Sequence, residues 1–325
     1  MSNKTVLDQT VKLLQKKFGT TSALRLGSGR EAAAQVKEVI PTGVEIIDHY
    51  SIGIGGLPVG RMSELSGEEG AGKTALSWQC IASAQQHGAT CVVVDVEYSF
   101  DEDRAKVYGV DIDNLIIVQP ETMEMALEQS KLLLTSHNAK RGPLLLVWDT
   151  IAAMTPKVEL GKEAGDRAPA LQSMLMSAEL KKLIPLLAKH RAHLLALNQV
   201  RANFGVMFGP NTITPGGKAV KFYASLRLQL FGGKAIKNKA DEHTGKIVTL
   251  VTAKTRFSPP FRKARIRLDY DTGWNNEWST LEHAKKVGKA GRGAKGDKAH
   301  QAALVSLGWG GVVSSAEAKA SGEEE

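Results

Sequence analysis

The sequence is short of the features that mark several common classes of protein. Its two cysteines, Cys80 and Cys91, cannot build a disulfide framework and fit a reducing compartment. Long apolar runs are missing: Leu144–Trp148 and Leu194–Leu197 fall far short of the roughly 18 residues that a membrane span needs. No apolar h-region follows Met1-Ser2-Asn3-Lys4-Thr5, so no secretory signal is expected. Aromatic residues make up only 6%, which argues against a base-stacking platform for single-stranded nucleic acid.

What remains is enough for a core. Of 325 residues, 42% are hydrophobic and 23% charged, close to the globular average, so disorder over most of the chain is excluded. At about 150 residues per domain, the length fits one large domain or two small ones. A net charge of +8 suits either a polyanionic partner or a solvated basic surface. With so few aromatics, any nucleic acid is expected to be held mainly by its backbone.

The patterning begins with a short amphipathic helix carrying Leu7, Val11, Leu14 and Phe18 on one face, with Gly19 as its stop. An alternating piece, Ala23–Leu26, and a turn at Gly27-Ser28-Gly29 follow. This arm has too little apolar surface to fold alone. From about Ile40 to Tyr270 strands and helices alternate. Strands are expected at Met62–Ser66, Thr90–Val96, Leu115–Val118, Leu144–Trp148 and His193–Leu197. Helices are expected at Lys73–His87, Arg104–Tyr108, Met123–Ser136 and Leu171–His190, the last kinked by Pro185. Apolar strands separated by helices predict a parallel sheet covered on both faces. After Leu226 the β-rich segments Leu226–Leu230, Ile247–Val251 and Ala264–Leu268 predict an antiparallel extension. Beyond Trp274 the pattern weakens. Lys285–Lys298 is rich in Gly, Ala and Lys, Ala303–Trp309 can pack a small apolar cluster, and Ser314–Glu325 reads as disordered.

One motif carries the chemistry. Gly67-Glu68-Glu69-Gly70-Ala71-Gly72-Lys73-Thr74 fits GxxxxGK[ST], a match that random composition gives roughly once in a hundred chains of this length. It follows an expected strand and opens an expected helix, the context in which backbone amides wrap phosphates. Lys73 then reaches the β/γ oxygens and Thr74 holds Mg²⁺. The chain is therefore expected to bind a nucleoside triphosphate with Mg²⁺. About 75 residues later, Leu144–Asp149 is an apolar strand ending in a carboxylate, the metal-orienting position of such folds. Glu97 ends another strand, where it either polarises the attacking water or merely caps the next helix.

Together these residues resemble the RecA-type recombinases. The similarity runs from Lys12 to about Gly273. It includes Gly55-Gly56-Leu57-Pro58, Val94-Asp95-Val96-Glu97, the run Tyr108–Leu115 and the run Trp148–Pro156. The most specific stretch is Asn198-Gln199-Val200-Arg201 with Gly205–Gly209 and then Gly216–Ser225. The resemblance implies a RecA-like P-loop ATPase core: α/β, with a mostly parallel sheet and an antiparallel β extension. It adds an N-terminal polymerisation arm (1–34), a core with the DNA-binding loops (35–275) and a reduced, basic C-terminal region (276–325).

It also implies roles for individual residues. Glu97 matches the carboxylate that activates water, and Gln199 the residue that senses the γ-phosphate. Lys254 and Arg256 match two basic residues reaching across the subunit interface to the neighbour's triphosphate, with Arg256 in place of a lysine. Asp101, Arg104 and Tyr270 match the surroundings of the base, although Arg104 stands where an aromatic ring usually stacks. The first DNA loop matches Gly161–Pro169, with Gly165, Arg167 and Pro169 as contacts. The second matches Arg201–Lys218, with Arg201, Phe204, Thr212, Thr214, Gly216, Gly217 and Lys218. Phe231 and Gly232 replace arginines expected at a secondary DNA site. Lys234, Lys237, Lys239 and Lys246 lie nearby, either as substitutes or on a solvated hairpin. Lysines and Arg292 between Lys285 and Lys298 form either a duplex-gathering tail or a solubilising one.

The function implied is a single-stranded-DNA-dependent ATPase. It forms a helical homo-filament on single-stranded DNA and exchanges strands with a homologous duplex. Its setting would be recombinational repair and the SOS response, in a bacterial or phage-infected cytoplasm. Two rivals are a recombination mediator that loads filaments without exchanging strands, and a ring-forming helicase-like motor. The intact Glu97, Gln199 and Gly216-Gly217 argue against the first. The N-terminal arm and the loop signature after Asn198 argue against the second.

Overall fold

The computed structural model of the chain describes residues 3–19, 23, 36–160, 169–202, 212–213 and 215–309. It divides into two compact units, Met1–Glu38 and Val39–Glu325. In the first, α1 (Asn3–Phe18) ends at Gly19, whose φ of 98° suits a residue without a Cβ and whose N–H returns to the Gln15 carbonyl at 2.9 Å. Lys16 and Lys17 in its last turn face the negative end of the helix dipole. Leu7, Leu14 and Phe18, three of the four residues expected on the apolar face, are exposed. The turn expected at Gly27–Gly29 lies outside the described residues, as do Leu24–Leu26 and Ser314–Glu325.

The second unit is built on one sheet. Its strands are β1 (Met62–Gly67), β2 (Thr90–Asp95), β3 (Leu115–Val118), β4 (Leu144–Asp149), β5 (Ala192–Gln199), β6 (Leu226–Lys237), β7 (His243–Thr255), β8 (Lys263–Asp269) and β9 (Gly273–Asn275). Among the described residues their order is β9-β8-β7-β6-β1-β5-β4-β2-β3. Pairing is parallel from β6 through β1 to β3 and antiparallel from β6 out to β9, so the extension expected after Leu226 is formed.

Burial on both faces explains the nearly continuous apolar strands. Along β4, Leu145 and Val147 face a core with Leu76, Trp78 and Ile81 of α2 (Lys73–Gln86). Leu144, Leu146 and Trp148 face the other core. That core also holds Leu127 and Leu134 of α4 (Met123–Ser136), and Met176, Leu180, Leu183 and Leu187 of α5 (Pro169–Lys189). The connecting helices are α3 (Glu102–Val107), α4 and α5, and α5 continues through Pro185. Buried Trp148 gives its indole N–H to Ser130 Oγ at 2.9 Å, so its polar end is satisfied. A short helix, α6 (Gly217–Tyr223), leads into β6.

The weakly patterned C-terminal stretch folds into two helices, α7 (Asn276–Lys286) and α8 (Asp297–Leu307). Asn275 caps α7 by accepting the Trp278 N–H at 2.8 Å. The small cluster expected around Ala303–Trp309 forms in two parts. Ala303 packs with Leu281 and Ala284, while the Trp309 ring lies between His49 and His283 at 5.6 and 5.5 Å.

Candidate active site

Register places the important strand ends together. Gly67 pairs with Gln199, and Asp95 with Asp149, so β1, β5, β2 and β4 all end at the carboxyl edge, where open α/β sheets bind ligands. The loop after β1 needs its glycines. Gly70 and Gly72 have φ of 67° and 101°, and a Cβ on Gly67 would lie 2.8 Å from the Leu230 carbonyl oxygen. Glu68 and Glu69 are exposed, whereas Ala71 and Lys73 are buried. Lys73 opens α2, so its ammonium sits at the positive end of that helix. It folds back to donate to the Gly67 carbonyl at 3.1 Å and the Glu68 carbonyl at 2.9 Å. Burial pushes its pKa down, an environment that favours an anionic guest.

Thr74 Oγ1 donates to Asp149 Oδ2 at 3.1 Å. The other carboxylate oxygen, Oδ1, is buried and has no partner among the described residues, and burial with the nearby charge of Glu97 pushes Asp149 up to about 7. A desolvated carboxylate oxygen left unpaired beside a hydroxyl fits a hard divalent cation. A cis peptide joins Asp149 to Thr150.

Glu97 lies two residues beyond β2 and is exposed. Its Oε1 accepts from Thr150 Oγ1 at 2.8 Å and from Gln199 Nε2 at 3.3 Å, so the candidate base and the candidate sensor share one oxygen. The residues expected around the base also meet. Asp101 caps α3 by accepting the Arg104 N–H at 2.9 Å, and Arg104 Nη1 donates to the Tyr270 carbonyl at 3.0 Å.

Lys254 and Arg256 are not brought to this edge. Lys254 pairs with Arg227, which pairs with Glu64, about 10 Å down β1 from Gly67 at ~3.3 Å per residue. Its ammonium donates to the carbonyls of Lys221 and Phe222 at 2.7 and 3.1 Å. Burial, and then the charge of Arg256, lower its pKa.

Of the expected DNA contacts, Gly165, Arg167, Phe204 and Thr214 lie outside the described residues, and Pro169 begins α5. Arg201 pairs with Ile213 and Ala202 with Thr212, so the two ends of the second loop run antiparallel. Gly216 and Gly217 follow at φ of 83° and 69°. A Cβ on Gly217 would fall 2.7 Å from Ser173 Oγ, and Lys218 beside it is exposed. Among the lysines named for a secondary DNA site, Lys237 pairs with Asp241 at 2.9 Å and Lys246 turns to the Gly70 carbonyl.

Sequence reasoning missed three partners. Thr150 stands in the run Trp148–Pro156 with no role of its own assigned, yet it donates to Glu97. Glu64 is fully buried, ion-paired to Arg227 Nε and accepting from Asn198 Nδ2 at 2.9 Å. Asn198 also donates to the Pro215 carbonyl at 3.0 Å, tying β5 to the segment before α6. The third is Gln172, whose amide donates to the carbonyls of Ile151 and Met154 at 3.0 and 2.9 Å.

The fold and this edge define an α/β protein of the P-loop class with a RecA-like core. The RecA N-terminal domain family matches residues 5–275. Protein RecA of Francisella tularensis subsp. novicida is 38% identical over 286 residues, covering 88% of this chain and 77% of that protein. Protein RecA of F. tularensis subsp. tularensis gives the same figures. The crystal structure of the RadB recombinase superposes with a TM-score of 0.53 at 19% identity, covering 72% of this chain and 97% of that one, a likeness of fold. The chain belongs to the RecA family, which ties it to DNA recombination and repair. Among the described residues no helix is long and apolar enough to cross a membrane.

Proposed function

We propose that this chain is an ATP-dependent recombinase. It assembles as a helical filament on single-stranded DNA and exchanges strands with a homologous duplex in a bacterial or phage-infected cytoplasm. The observation that carries this reading is the oxygen of Glu97 shared by Thr150 and Gln199, directly across the edge from Lys73, Thr74 and Asp149.

Lys73 and the amides of the glycine loop hold the phosphates, and Thr74 with Asp149 holds the metal. Bound Mg²⁺·ATP supplies a scissile phosphoryl bond and the cation that neutralises charge developing on it. Glu97 takes a proton from the attacking water. Gln199 competes for the same Glu97 oxygen, so its side chain reports whether the site is filled. Val200, the next residue, bonds through its N–H to the Gly67 carbonyl at 3.2 Å, and Arg201 opens the second DNA loop. A change at Gln199 is thereby one residue from the loop that grips DNA. Asp101, Arg104 and Tyr270 face the base.

Lys254 and Arg256 act on a neighbour's triphosphate, because register keeps them from their own. Arg256 is always charged and forked, suited to transition-state charge. The amphipathic pattern of α1, with Leu7 and Phe18 exposed, supports assembly through that face. DNA is held by loops rich in glycine and backbone amides, so pairing between strands supplies the specificity.

The test is exchange between a labelled single strand and its homologous duplex, with ATP and Mg²⁺ present and then withheld. Exchange that requires both is expected, and Lys73→Ala should abolish ATP-driven assembly and exchange together. Tight single-strand binding and ATP turnover without exchange would assign the chain to the filament-loading mediators instead.

A further inference from the structure

Lys246 stands near the start of β7 and has no role in the site described so far. Its ammonium donates to the carbonyl of Gly70 at the crown of the phosphate loop. Across the antiparallel edge it pairs in register with Leu268 of β8, which pairs with Trp274 of β9. Residues directly opposite one another share a face, so Lys246, Leu268 and Trp274 form one lateral row. The loop rests on this row at a second point. A Cβ on Gly72 would touch the Trp274 ring at 3.4 Å and Leu268 Cδ2 at 3.7 Å. Lys246 is half-buried, and burial first and the charge of Lys73 second hold its pKa below the usual lysine range. The hairpin lysines differ: Lys234 and Lys239 are exposed, and Lys237 pairs with Asp241.

We propose that Lys246 is a positioning residue of the nucleotide site, a second cation supplied by the same chain that clamps the phosphate loop through Gly70. The proposal rests on the triphosphate reading of that loop. Two glycines in left-handed conformations make the segment costly to order. Fixing the Gly70 carbonyl fixes the plane of the Gly70–Ala71 peptide, one of the amides lining the loop. A clamp in place before the ligand arrives lowers the ordering cost of binding. Its positive charge, beside that of Lys73, also raises the local attraction for a polyanion.

The experiment compares the full-length chain with Lys246→Met and Lys246→Arg, using a fluorescent ATP analogue with Mg²⁺, steady-state ATP hydrolysis and thermal melting without nucleotide. Lys246→Met is expected to weaken analogue binding on the order of tenfold, the scale of a charge-assisted hydrogen bond. The loss should fall on KM more than on kcat, with the ligand-free melting temperature held, and Lys246→Arg should recover most of it. Wild-type affinity in Lys246→Met overturns the proposal. So does a loss matched by a fall in melting temperature, or an arginine variant as weak as the methionine one. A wild-type chain that binds no analogue sinks the nucleotide reading and the proposal together, whereas binding that Lys73→Ala abolishes and Lys246→Met spares sinks the proposal alone.

Discussion

The two ends of β7 carry cations with opposite assignments. Lys246 near its start touches the chain's own phosphate loop, while Lys254 near its end sits beside Arg227 and Glu64 at the other edge of the parallel strands. Eight residues at ~3.3 Å each separate them by about 26 Å. No side chain bridges that distance, so on the proposed reading one strand serves two sites: its own at one end, and at the other a neighbour's. Charge and residue type are the same at both ends, and the sheet register alone distinguishes them.

The largest effect should come from breaking the distant end. Lys254→Ala combined with Arg256→Ala is expected to lower DNA-dependent ATP hydrolysis by about 10³-fold, the scale of an arginine finger. Nucleotide binding by the isolated chain should stay within about twofold. Mixing that double variant with Glu97→Gln should restore part of the activity, because each variant supplies what the other lacks at the shared junction. Mixtures as inactive as their parents would place both functions in one chain and remove the asymmetry.

A smaller effect should come from the helix between the proposed DNA loop and the distant cations. α6 starts at Gly217 and, at its other end, offers the carbonyls of Lys221 and Phe222 to Lys254. Gly217→Ala adds a Cβ at positive φ, 2.7 Å from Ser173 Oγ, which must displace the start of that helix. Stimulation of hydrolysis by single-stranded DNA is expected to fall about tenfold. Undiminished stimulation would mean that α6 does not couple the loop to Lys254.

Much of this was legible in the sequence, and the failures have a common cause. The phosphate loop, the carboxylates at strand ends and the alternation of strand and helix follow from local spacing. Asp149 and Glu97 follow because a strand end is a definite place. Lys246 was grouped with the hairpin lysines because its destination depends on register. β6 bulges between Phe231 and Lys234, where a Cβ on Gly233 would overlap the Ile247 carbonyl at 1.4 Å. A shift of one residue decides which face a side chain takes, and composition does not encode it. The Thr150–Glu97–Gln199 contact was hidden for a similar reason, since three separate strands must end at one level before it exists. The helices α7 and α8 were obscured by lysine and glycine, although Asn275 is a recognisable cap.

The smallest effect concerns the C-terminal hairpin, which begins right after Trp274 and so abuts the Lys246 row. His300 Nε2 meets Glu45 Oε2 at 2.7 Å, and this hydrogen bond raises the His300 pKa. A raised histidine contributes its full stability below about pH 6.5 and loses it as pH rises through the folded value. His49 and His283 have the opposite sign. Burial lowers both, so their neutral forms are favoured and stability is lost as pH falls below about 6.5. Docking of α8 is therefore expected to weaken on both sides of that pH. In wild type, amide exchange in α8, corrected for its intrinsic pH dependence, should rise about threefold from pH 6.5 to 8. In His300→Gln that alkaline limb should vanish while the acid limb remains. If the alkaline limb persists in the variant, the His300–Glu45 contact does not hold α8 in place.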